Sequence, residues 1–197
     1  MGEIRSALDI ALERTADIHA DKGRTDSREL KKIGKKAAGD YLGNGDISLL
    51  EKALEKQKGD TLKLVKEGAV SNLLASLRLP STEADLPKIK TTGIGLDTLL
   101  PKSGIAELFV QVALIMTQYL SEHENLEKTL EQQFMPRLRA KQQELAKRYG
   151  QNIPLDPSQD SEYMAALSKN HRILESKYEA VIDEIRSRVR EIAGIEE

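Results

Sequence analysis

His19, His123 and His171 are the only imidazoles in a chain of 197 residues that contains no cysteine. His123 precedes Glu127, and His171 precedes Glu175, by one helical turn, so each pair offers half of a metal site. A di-iron site of the helical-bundle type requires Glu three residues before His on two helices. Ala16, Leu120 and Ser168 stand at those positions, and that site is absent. A hairpin folded at the loop GQNIPLDPSQ places Leu138 opposite His171 and Leu130 opposite Glu179. Leu138 lies roughly 22 Å along a helix from His123. On that register the two histidines cannot share one ion. Both read as members of a packing seam, with no metal and no cofactor expected.

Thr91 to Ser103, TTGIGLDTLLPKS, superficially suggests a phosphate loop. A Walker loop needs Gly-Lys-Ser/Thr, and Pro101 replaces that glycine and removes an amide donor. Gly93 and Gly95 lack the third glycine of a dinucleotide fingerprint, and no hydrophobic strand precedes them. Paired carboxylates, a serine nucleophile elbow and H-E-x-x-H are not found in convincing form. No catalytic residue can be nominated, although a helical bundle can assemble a site from distant positions.

Basic residues cluster at Lys31, Lys32, Lys35 and Lys36, again at Arg137, Arg139, Lys141, Lys147 and Arg148, and at Arg186, Arg188 and Arg190. The second cluster follows an acidic run, Glu122, Glu124, Glu127 and Glu131. The face from Arg137 to Arg148 could contact nucleic-acid phosphates, which would make binding steeply salt-dependent. Phe134 and Tyr149 are the only aromatics nearby, and a charged helix face is commonly just solvated. A formal net charge of −2 supplies no global pull toward nucleic acid or anionic lipid.

The elements that position these groups are helices. Charged residues make up 31% of the chain and aromatics 4%, a profile of long helices, so the expected fold is all-α. Gly104 to Tyr149 reads as one helix, roughly 70 Å long, longer than a domain of this size is wide. Ile105 to Leu120 is apolar nearly all round, which predicts a spine buried by other helices, with Phe109, Ile115 and Met116 exceeding what one neighbour can cover. At 16 residues with four polar ones, that segment is too short and too polar to span a bilayer. From Glu122 onward only a narrow apolar stripe remains, as one arm of a hairpin needs. Pro136 predicts a bend rather than a break, because Met135 would be a poor helix cap. Ser161 to Ala193, capped by Asp160 or Ser161, supplies the antiparallel second arm.

The first 79 residues read as a four-helix region. Apolar periodicity runs from Glu3 to about Ala20, with Gly23 closing that helix. A second starts at Thr25 to Ser27 and stops at Gly43-Asn44-Gly45, a third follows Asp46, and a fourth follows Asp60. Gly34 and Gly39 in the second weaken it unless close packing needs them. Residues 80–103, with three prolines and two glycines, read as an irregular linker, and 104–197 as the hairpin region. The opening EIRSALDIALERT, with the long helical pair at the other end, resembles an uncharacterised family of small bacterial all-helical proteins, and that resemblance brings no activity, cofactor or site.

The expectation is a cytoplasmic, non-catalytic interaction or scaffold protein that binds a protein partner or itself. Its surface would include Phe109, Ile115 and Met116, and the basic residues Arg137, Arg139, Lys141, Lys147 and Arg148. A nucleic-acid-associated protein using that basic face is the first alternative, and an enzyme with an unrecognised site the second.

Overall fold

A computed structural model describes residues 7–150 and 155–195, with side chains from Asp26 onward. The described residues form six α-helices and no strand: α1 (Ala7–Asn44), α2 (Ser48–Glu55), α3 (Gly59–Ser76), α4 (Leu86–Leu99), α5 (Ile105–Tyr149) and α6 (Ser161–Ala193). The chain divides into two compact units. One holds Met1–Leu77, Thr91–Ala106 and Val189–Glu197, and the other Arg78–Lys90 and Glu107–Arg188.

In the first unit the expected pair of opening helices is a single helix, α1, which corrects the stop placed at Gly23 and leaves three helices before residue 79. One glycine costs a helix about 1 kcal/mol, which the turns on either side can carry. The expected first residues, Glu3 to Ser6, lie outside the described part. Close packing explains Gly34. A β-carbon on Gly34 would stand 1.9 Å from the Val65 carbonyl oxygen, and one on Gly68 would stand 2.0 Å from that of Lys31. The two glycines therefore let the backbones of α1 and α3 touch. Lys31 and Glu67 form an ion pair beside the crossing.

The irregular linker expected at 80–103 is also corrected. A 3-10 turn, Glu83–Asp85, leads directly into α4. The Asp85 carboxylate accepts the backbone N–H groups of Ser81 and Thr82 at 3.1 and 3.4 Å, tying down the start. Pro87 sits in the first turn of α4, where its missing N–H costs nothing. Gly95 is needed for contact: a β-carbon there would meet the Tyr41 ring at 2.6 Å, and the Tyr41 hydroxyl donates to the Thr91 carbonyl at 2.7 Å. The glycines that suggested a phosphate loop thus lie within a helix, and one of them seats a buried tyrosine.

In the second unit α5 and α6 form an antiparallel pair. Tyr119 meets Tyr178 edge-on at 5.1 Å, and Phe134 meets Tyr163 edge-on at 5.5 Å. Five tyrosines and two phenylalanines are all the aromatics of the chain, and these two contacts use four of them. Tyr178, Ile182 and Ile185 on α6 and Val112, Met116, Tyr119, Leu130 and Leu138 on α5 are buried. The 45 residues of α5 run unbroken through Pro136. Asp160 caps α6, one carboxylate oxygen accepting from the N–H groups of Glu162 and Tyr163 at 3.0 and 3.1 Å.

Candidate functional site

The level at which α6 begins decides which side chains meet across the seam. Asp160 receives Lys141 at 2.8 Å, and Glu162 pairs with Arg137. The connection thus returns the chain to the level of Lys141, and Gln142 to Tyr149 continue past the start of α6. A fold at the middle of the loop would set Leu138 opposite His171. Instead the partner of His171 is His123, their rings stacked at 4.1 Å between centroids and inclined by 23°. The separation inferred from the sequence is overturned by this shift of register.

Glu127 completes the cluster. Its Oε1 lies 3.7 Å from Nδ1 of His123 and 3.4 Å from Nε2 of His171. Each of the three residues offers a ligating atom, and these atoms lie within 4.8 Å of one another. All three side chains are half-buried, and His171 Nε2 is shielded from solvent with no hydrogen-bond partner. A buried polar atom without a partner costs about 1–3 kcal/mol.

Beside the cluster the second unit has a cleft of about 630 Å³. Its walls come from Arg78 to Ser81, from Tyr119, Leu120 and His123 on α5, and from Glu175, Glu179, Ile182, Asp183 and Arg186 on α6. Arg186 donates to Asp183 at 2.8 Å. Next to His123 in the chain, Glu122 accepts hydrogen bonds from Gln118 at 2.8 Å, from the Tyr178 hydroxyl and from Lys177 at 3.2 Å, which together hold its carboxyl below the usual range. Burial, and then the Glu122 carboxylate, push Tyr178 up to about 12.

The expected interaction residues separate. Phe109 and Met116 are buried and Ile115 half-buried, so the first two present no surface. The segment does carry surplus apolar area, but at Val110 and Leu114, which are 64% and 67% exposed. A helix apolar on every side has no phase that sequence can fix. Of the basic residues, Arg137 and Lys141 are engaged by Glu162 and Asp160, while Arg139, Lys147 and Arg148 are exposed. The structure gathers none of these eight residues with the histidines. No helix among the described residues is long and apolar enough to cross a membrane.

Residues 51–191 match a family of unknown function (DUF6657), and the chain belongs to that family. The match takes in the long helical pair, as the resemblance to an uncharacterised helical family implied, and leaves out the opening EIRSALDIALERT. No curated protein matches the chain, and no solved structure does.

Proposed function

We propose that this member of the DUF6657 family is a non-catalytic protein of the cytoplasm that associates with a second copy of itself through one face of α5. The supporting observation is a surface stripe with no charge in a chain that is 31% charged. Val110, Gln111, Leu114, Thr117, Gln118 and Ser121 are all exposed and uncharged, and they recur at helical spacing. Depletion of charge around exposed apolar side chains is the composition of an interface centre.

A second copy suits the stripe on two grounds. An antiparallel α5 crossing at Val112 sets Val110 of each chain beside Leu114 of the other, the self-complementary arrangement of a twofold dimer. With a net charge of −2, two copies meet little repulsion. The basic face at Arg139, Lys147 and Arg148 supports the nucleic-acid reading less, because Arg137 and Lys141 already have carboxylate partners.

The absence of native cysteine makes a direct proximity test available. A mixture of Val110→Cys and Leu114→Cys chains is expected to form a disulfide-linked dimer between the two on mild oxidation, and Lys128→Cys chains are not. Equal cross-linking of the Lys128→Cys chains, or none between 110 and 114, would count against this face.

A further inference from the structure

We propose that His123, Glu127 and His171 bind one divalent transition-metal ion, bridging α5 and α6, with its open coordination positions on the cleft that His123 also lines. The spacings support a common centre. An ion about 2.1 Å from each ligand atom sees the two separations from Glu127 Oε1, 3.4 and 3.7 Å, at about 110° and about 125°, which are angles a tetrahedral ion accepts. His171 Nε2, shielded and without a hydrogen-bond partner, would give its lone pair to the metal. The two histidines come from different helices, and a nitrogen of each lies within 3.7 Å of a single carboxylate oxygen, a grouping that a purely structural ion pair does not require.

Two imidazoles and a carboxylate suit zinc, cobalt, nickel or ferrous iron. Magnesium and calcium favour all-oxygen shells, and soft cuprous copper favours sulfur. Three protein ligands leave room for water or another small ligand, as in open sites, whereas closed structural sites use four. Of the three ligands, His123 lines the cleft with Tyr119, Glu175 and Arg186, and the open position would face that side. An ion lies in the plane of each imidazole that ligates it, and rings stacked at 23° do not converge on one point. At least one ring must therefore turn, so metal binding unstacks them.

The test uses the full chain without a tag, stripped by chelator and titrated calorimetrically with Zn²⁺ alone. The expected result is one site per chain, weakened about tenfold or more by Glu127→Gln and by His171→Gln, and unchanged by Glu131→Gln one turn away. Histidine-selective NMR of the wild-type chain provides a reading that needs no variant: the ring signals of His123 and His171 shift on adding Zn²⁺, and that of His19 does not. No binding at about 100 μM Zn²⁺, binding that Glu127→Gln and His171→Gln leave intact, or unmoved His123 and His171 signals would overturn the proposal.

Discussion

Lys141 donates to Asp160 at 2.8 Å while the other Asp160 oxygen caps α6, so one buried carboxylate both starts the second arm of the hairpin and fixes its level against the first. The histidine cluster, the tyrosine contact and the overrun of α5 all depend on this placement.

The Lys141 hydrogen bond, followed by the amides of Tyr163 and Glu162, holds the Asp160 carboxyl at about 2, below its ordinary value. A depressed folded-state pKa contributes stability that is fully present above the unfolded value and disappears as pH falls through the folded one. The hairpin is therefore expected to lose stability between about pH 4 and pH 2. Asp160→Asn should lower the midpoint of urea unfolding at pH 7 and flatten that acid decline. An unchanged acid limb in the variant would count against the assignment.

Tyr178 titrates in the opposite direction. Its pKa is raised to about 12, chiefly by burial and further by the Glu122 carboxylate, so the folded state keeps a proton that the unfolded state loses first. Its stability contribution is complete below about pH 10 and disappears between about pH 10 and pH 12. Ultraviolet titration of phenolate should show a late component that Tyr178→Phe removes and Glu122→Gln moves to lower pH. Because burial is the larger cause, Glu122→Gln should leave part of the elevation in place.

The contact between α1 and α3 makes two glycines sensitive in a way that a third is not. Gly68→Ala and Gly34→Ala each drive a methyl into backbone, and each should cost about 1–3 kcal/mol by chemical denaturation. Gly43→Ala, in the last turn of α1 with nothing within 4 Å of the added carbon, should be neutral or stabilise by up to about 1 kcal/mol. Equal effects at all three positions would refute the close-approach account.

Periodicity was enough to place α3, α5 and α6, because each carries a sustained apolar pattern. It misread residues 80–103, where Pro87 and Gly95 look like helix breakers but occupy a first turn and a seat for Tyr41. The histidine cluster was hidden for a different reason. Each His-x-x-x-Glu half was visible, but their meeting depends on where the chain re-enters after Gly150, and the Lys141–Asp160 and Arg137–Glu162 contacts reveal that. Likewise, the apolar excess of α5 was legible while its phase was not, so Phe109 and Met116 were expected on a surface that Val110 and Leu114 occupy.

Light scattering across a concentration series tests self-association through α5 most directly. The wild-type chain should approach twice its 21.9 kDa mass as concentration rises. The double variant Val110→Glu, Leu114→Glu should retain its helical circular dichroism and remain at 21.9 kDa. A wild-type chain that stays monomeric throughout, or a double variant that dimerises as well as the wild type, would contradict the account.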